Sequence, residues 1–268
     1  MAGEPASPAA LDVHDEGSGP AVLLLHGVGG NRSLWNSVAP PLARHFRVIA
    51  PDLRGHGRSP APPGSQFTFD ELLGDVTHLL DVKGIPSAHW VGLSGGALLA
   101  LRAGLDRRER TRSVTMISGS AYTDAHTRAI AQRLADTYVK EGPDAYALRL
   151  LKDMYYPDWI EAHLDLADRI RAGAGTQDLG PATAWVRAID RFDERNRIAT
   201  VGVPVLIVQG MDDGVVDPAH GRILRQSVPG AQIRIFPQTG HMVPLERPAE
   251  TAEAIRAFVA SVEATGSA

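Results

Sequence analysis

The pentapeptide Gly92-Leu93-Ser94-Gly95-Gly96 sets a hydroxyl among glycines. That is the arrangement a nucleophilic serine needs on a tight strand-to-helix turn, with its oxygen exposed at the end of a sheet. The flanks must be small because a Cβ there would collide with the neighbouring strand and helix. The same five residues also fit a serine that only caps a helix, so the surroundings decide. Trp90-Val91 leads in as the end of a strand, and Ala97-Leu98-Leu99-Ala100 leads out as a helix. The N-terminus of that helix would add a positive dipole near a developing oxyanion.

A serine hydroxyl is a weak nucleophile at neutral pH. It needs a general base, and the base needs a carboxylate to set its tautomer and stabilise the imidazolium. For a serine on this kind of turn, the acid and then the histidine follow in chain order. Residues 205–208 read as a late strand that ends in Gly210-Met211-Asp212-Asp213-Gly214. Asp212 and Asp213 are both candidates for the acid, and Asp217 is expected to cap a helix starting near Pro218. Ten histidines are present, so position must select among them. His241 follows the last strand directly in Gly240-His241-Met242 and lies downstream of the acid. His14, His45, His78, His126 and His163 read as surface or packing residues, and His220 as solvent-facing. His56, between Gly55 and Gly57, is the one rival base, but it precedes the serine and has no evident acid partner.

Acyl transfer also needs rigid donors aimed at the tetrahedral oxyanion. The backbone N–H of Gly95, next after the nucleophile, is one. The second is expected from His26-Gly27-Val28-Gly29-Gly30, and Val28 is the choice. A phosphate-cradling reading of this loop fails for want of Gly-Lys-Ser/Thr or dinucleotide spacing.

The elements that must position these residues alternate. Residues 11–14 read as a short edge strand after a loose tail over residues 1–10. Residues 21–25 are apolar without alternation, as in a strand buried on both faces. A helix is expected over 33–44, then a strand over 46–50. Phe69, Leu72, Leu73, Val76, Leu79 and Leu80 share one helical face. Strands over 88–91 and 113–117 flank a helix over 97–105. This rhythm predicts an α/β fold with a mostly parallel, doubly wound sheet. It breaks after Ser120. Residues 121–191 read instead as an inserted helical segment of four amphipathic pieces, divided at Gly142-Pro143, Tyr156-Pro157 and Gly173 through Pro181. The sheet resumes over 203–208 and 233–236, and a helix over 249–262 closes the chain. The expected division is a core of residues 1–120 and 192–268 around an insert of 121–191.

Composition narrows the function. Lys and Arg number 27 against 31 Asp and Glu, a net charge of −4, without the basic excess of a nucleic-acid binder. No cysteine is present, which excludes disulfides, thiolate catalysis and Cys-based metal sites. No His-x-x-x-His or His-x-His cluster suggests a metal. No signal peptide and no apolar run of membrane-spanning length are found, so the expected compartment is the cytoplasm. No cofactor is expected, and monomer and homodimer fit equally.

Together these residues resemble the α/β-hydrolase fold superfamily. His26-Gly27-Val28-Gly29 is similar to its oxyanion loop, and Ser94 to its nucleophile elbow. Asp52-Leu53-Arg54-Gly55-His56-Gly57-Arg58-Ser59 is similar to its Asp-x-Arg-Gly-x-Gly-x-Ser loop. The family's acid falls three residues after the glycine of Gly210-Met211-Asp212-Asp213, which selects Asp213. Residues 240–248 resemble its closing Gly-His-x4-Glu-x-Pro segment. The match spans about residues 10–120 and 200–262, and the helical insert falls where the family places its cap. The branch it resembles holds 3-oxoadipate enol-lactonases, meta-cleavage C–C hydrolases and cofactor-free haloperoxidase-type esterases. Gly95, where many relatives carry a side chain, is expected to open space beside Ser94. A serine, where dehalogenases and epoxide hydrolases carry aspartate, argues against both activities.

The resemblance implies hydrolysis of a carboxylic ester or lactone of a small, partly apolar substrate, with C–C hydrolysis or acyl transfer as the alternative on the same groups. A small-molecule receptor on the same scaffold is the non-enzymatic alternative. Tyr122, Tyr155, Tyr156, Trp159, Trp185 and Met242 are the expected pocket lining.

Overall fold

A computed structural model of the chain describes residues 7–174 and 179–266. The first six residues of the expected tail, and residues 175–178 of the third expected break in the insert, lie outside them. Ala9, also assigned to the tail, is instead buried, and its N–H donates to Asp75 Oδ1 at 2.6 Å.

The chain begins with β1 (Val13–Glu16) and β2 (Ala21–Leu25), followed by α1 (Ala39–Ala43) and β3 (Arg47–Pro51). Next come α2 (Phe69–Val82), β4 (Ala88–Leu93), α3 (Gly95–Asp106) and β5 (Thr111–Ile117). Seven strands form one sheet in the order β1-β3-β2-β4-β5-β6-β7, where β6 is Val205–Gly210 and β7 is Gln232–Phe236. Every pairing is parallel except β1 with β3. The unbroken apolar run of β2 follows from this. Val22 and Leu24 pack into the core on one face, Leu23 and Leu25 into the core on the other, and all four are fully buried. The order of strands reverses at β2 and β4, because β2 continues to β3 on one side while β4 lies on the other. Such a reversal leaves a crevice at the carboxyl ends of the two strands, where ligands bind in open parallel sheets.

The expected helix over 33–44 is divided. A 3₁₀ turn at Arg32–Trp35, capped by Asn31, precedes the short α1. Pro40 and Pro41 have no N–H to continue a helix from the preceding turn, yet both are well suited to a first turn. By contrast α2 runs as its spacing predicts. Its apolar face is buried, and Thr68 and Glu71 form a reciprocal capping box at its start.

Among the described residues five α-helices stand between β5 and β6 where four pieces are expected: α4 (Ala125–Glu141), α5 (Pro143–Met154), α6 (Pro157–Glu161), α7 (Leu166–Ala174) and α8 (Leu179–Asp190). The additional break follows Glu161. There the His163 ring donates from Nδ1 to the Trp159 carbonyl at 2.7 Å and takes up an orphan acceptor at the end of α6. Tyr122 bridges to Asp193 where the chain enters and leaves this cap. After β6 come α9 (Ala219–Ser227), α10 (Val243–Glu246) and α11 (Pro248–Gly266).

Candidate active site

Ser94 sits between β4 and α3 with φ 53° and ψ −118°, a conformation that costs strain for any residue with a Cβ. The turn is forced by crowding. A Cβ at Gly92 would run into the Gly96 carbonyl, and one at Gly96 into the carbonyls of Leu25 and His26. Ser94 makes no side-chain capping bond to α3, so its hydroxyl is not spent as a helix cap.

Asp213, fully buried after β6, accepts from His241. Nδ1 of His241 lies 2.9 Å from Oδ2 and 3.0 Å from Oδ1. A carboxylate only accepts here, so Nδ1 carries the proton and Nε2 keeps the basic lone pair. Three further donors hold the carboxylate: the N–H groups of Val215 and Val216, each at 2.9 Å, and Gln209 Nε2 at 3.0 Å. Asp212 is exposed, with only its backbone tied, to the Thr239 carbonyl. Asp217 accepts from the Ala219 amide at the start of α9.

The end of β5 ties Ser94 and the His241 loop together. Ser94 N–H donates to the Ile117 carbonyl at 2.9 Å, and the next residue, Ser118, donates from Oγ to the His241 carbonyl at 2.8 Å. The cap holds His241 from the other side. Its N–H donates to the Met154 carbonyl at 2.8 Å, and Glu246 Oε2 accepts from Gly240 and Tyr156. Burial raises the Glu246 pKa, and the nearby Asp213 charge adds to the rise. Ser118, Gln209, Glu246 and the Met154 carbonyl are absent from the sequence-derived candidates. Only Glu246 carried a signal, in the closing motif; Ser118 and the Met154 carbonyl act on residues remote in sequence, and Gln209, four residues before Asp213, belongs to no motif.

The loop of residues 26–30 abuts Ser94. A Cβ at Gly27 would stand 3.2 Å from Ser94 Cβ and 3.8 Å from its Oγ. His26 fixes this loop by donating from Nδ1 to the Gly27 carbonyl at 2.7 Å and accepting at Nε2 from Leu53 N–H at 2.9 Å. Burial, with the adjacent His56, lowers its pKa to about 3, so the ring stays neutral and keeps this bonding pattern. Val28 follows, half-buried against the core.

The space expected beside Gly95 is filled. A Cβ there would lie 3.0 Å from Trp185 Cζ2 and 3.1 Å from Ile189 Cδ1, both from α8. Helix α8 thus closes onto the glycine, a contact between distant segments that sequence alone does not reveal. Trp185 is fully buried and meets the rings of His26 and His56. Tyr155 and Trp159 stack at 4.9 Å and pack with Met242 in one cluster at the seam between cap and His241 loop. Tyr156 is half-buried there. Tyr122 is drawn elsewhere, with its ring 4.9 Å from His220 and Arg195 on it at 4.4 Å. His220 is therefore not solvent-facing. It is 3% exposed, and its Nε2 pairs with Asp124 at 3.0 Å, because Asp124 caps α4 directly over α9. Among the described residues His56 has no carboxylate partner: its Nδ1 donates to the Arg54 carbonyl at 2.8 Å, and its Nε2 meets no hydrogen-bonding group. Among the described residues no cluster of three or more His, Cys, Asp or Glu could hold a metal, and no helix is long and apolar enough to cross a membrane.

A mostly parallel sheet, an elbow serine and a buried His–Asp pair define the class. The chain belongs to the alpha/beta hydrolase fold family, which matches residues 20–248, and it is an enzyme of that family. Among curated relatives it is 30% identical over 263 residues to a Variovorax paradoxus (strain S110) protein named "Putative carbamate hydrolase RutD", covering 97% of this chain and 98% of that one. It is 27% identical to 3-oxoadipate enol-lactonase 1 of Acinetobacter baylyi, covering 94% and 93%. The crystal structure of the enol-lactonase from Burkholderia xenovorans LB400 superposes with a TM-score of 0.85 at 28% identity, over 94% of this chain and 100% of that one.

Proposed function

We propose that the protein hydrolyses a carboxylic ester or lactone of a small, partly apolar substrate through an acyl-enzyme on Ser94. The observation that carries this reading is the buried Asp213 carboxylate on His241 Nδ1, which leaves Nε2 as the base. Ser94 Oγ attacks the scissile carbonyl while its proton passes to Nε2. The amides of Val28 and Gly95 receive the oxyanion. Collapse of the tetrahedral intermediate breaks the C–O bond, and the imidazolium returns its proton to the departing alkoxide. Water, deprotonated by His241, then attacks the acyl-enzyme and releases the acid and the Ser94 hydroxyl. The core of residues 1–120 and 192–268 supplies these groups, and the cap of 121–191 closes over them. Trp185, Tyr155, Tyr156 and Trp159 form its apolar wall together with Met242 of the core, and Tyr122 stands where the chain enters the cap.

Relatives are named as a putative carbamate hydrolase and as an enol-lactonase; carbamates and lactones both carry a heteroatom leaving group on the carbonyl, which is the chemistry this arrangement suits. The test is hydrolysis of 4-nitrophenyl butyrate and of a γ-lactone. Ser94→Ala should abolish both, and a fluorophosphonate should add to Ser94 as a single mass increment. Full activity in the alanine variant would refute the reading.

A further inference from the structure

Two buried polar atoms beside the nucleophile are unspent. His56 is 6% exposed and Trp185 is fully buried. Neither Nε2 of His56 nor Nε1 of Trp185 has a hydrogen-bond partner among the described residues. Buried polar atoms are nearly always partnered, so an orphan in a binding crevice marks a ligand contact.

Their chemistry is complementary. The Arg54 carbonyl can only accept, so the proton of the His56 ring is on Nδ1, which donates to it at 2.8 Å. Burial lowers the His56 pKa, which keeps the ring neutral and Nε2 a bare acceptor. The Trp185 indole N–H can only donate. The two rings stand 5.4 Å apart between centroids, nearly perpendicular. One ligand oxygen can contact two nitrogens up to about 6 Å apart, a separation open to rings at this centroid distance.

The pair is also placed at the reacting end. Nε1 is bonded to Cε2, and the Cε2–Cζ2 edge is the one that faces Gly95, with Cε2 3.3 Å from the β position there. His56 packs against His26, centroid to centroid at 5.4 Å, and His26 anchors Gly27 beside Ser94. Both groups therefore border the oxyanion side, where the acyl half stays attached to Ser94. The leaving group must face His241, which protonates it.

We infer that His56 Nε2 and Trp185 Nε1–H form a specificity site for a hydroxyl on the acyl chain, near the scissile carbonyl. The hydroxyl accepts from Trp185 and donates to His56. A carbonyl or ether oxygen could satisfy only the tryptophan, and an alkyl chain would leave both unpaired. The preferred substrates are thus esters or lactones of short hydroxy acids, a refinement that rests on the acyl-enzyme reading.

The test compares 4-nitrophenyl 3-hydroxybutyrate with 4-nitrophenyl butyrate, which share a leaving group and differ by one hydroxyl. The native protein should prefer the hydroxylated ester by at least tenfold in kcat/KM. That ratio should collapse toward one in Trp185→Phe and in His56→Phe, whatever loss the two esters suffer in common. A native ratio of one or below, or a ratio that survives both substitutions, overturns the inference while leaving the acyl-enzyme reading intact. Failure of the native protein to cleave either ester through Ser94 overturns that reading and this one with it.

Discussion

Replacing Asp213 by asparagine should disable the protein while leaving it folded, and the hydrogen bonds show why. Oδ1 accepts from Val215 and Val216, and Oδ2 from Gln209 Nε2, while His241 Nδ1 reaches both oxygens. In Asp213→Asn the amide oxygen can stay on the two backbone donors, which puts the new NH2 where Oδ2 was. Gln209 can turn its amide so that its Oε1, unpartnered in the native protein, accepts one of the new hydrogens. The other hydrogen points at His241 Nδ1, which must then give up its proton and accept. The proton moves to Nε2, where no lone pair is left for Ser94. The stability cost should be about 1 kcal/mol, because most bonds re-form. The kinetic loss should be about 10,000-fold in kcat, roughly 5–6 kcal/mol of barrier, the size seen when a base is held in the wrong tautomer. Steady-state kinetics on a chromogenic ester, with a urea melt of the same sample, measures both. A folded variant that loses less than tenfold would refute the tautomer argument.

Other consequences follow from burial. His26 and His89 have pKa values lowered to about 3 and about 4, burial being the main cause in both. The unfolded chain binds protons that these folded sites refuse, so their stability contribution is full above about pH 6.5 and is lost as pH falls through the folded values. His89→Gln should therefore flatten the dependence of the urea midpoint on pH between 6.5 and 4. Arg54 is held by two bonds of 2.7 Å to Asp75 within the protein, and both partners are 1% exposed. Arg54→Met strands that carboxylate and should cost about 3–5 kcal/mol, read as a fall in Tm; a change under 1 kcal/mol would contradict the burial. Gly95→Leu drives a side chain into Trp185 and Ile189 and should destabilise by about 1–3 kcal/mol. Adding Trp185→Ala should recover part of that loss in a double-mutant cycle, whereas strict additivity would mean the two positions do not touch.

Much of this protein is readable along the chain because its signals are local. The apolar runs of β2 and β6, the one-sided face of α2 and the glycines around Ser94 each answer to a constraint within a few residues: burial on both faces, a helical period, a crowded turn. The order of Ser94, Asp213 and His241 is likewise a property of the sequence. Prolines 40 and 41 were legible too, and the lack of an N–H at each explains why the helix expected over 33–44 divides. Four things required tertiary structure. Helix α8 fills the space beside Gly95, α4 brings Asp124 onto His220, Ser118 braces the His241 loop, and His56 and Trp185 meet with an acceptor and a donor unpartnered among the described residues. Each joins segments tens of residues apart through side chains that have no period or motif of their own. A sequence specifies chemistry where backbone geometry demands particular residue types. Which distant side chains share a wall of the site is decided only when the sheet, its reversal at β2 and β4, and the cap are packed together.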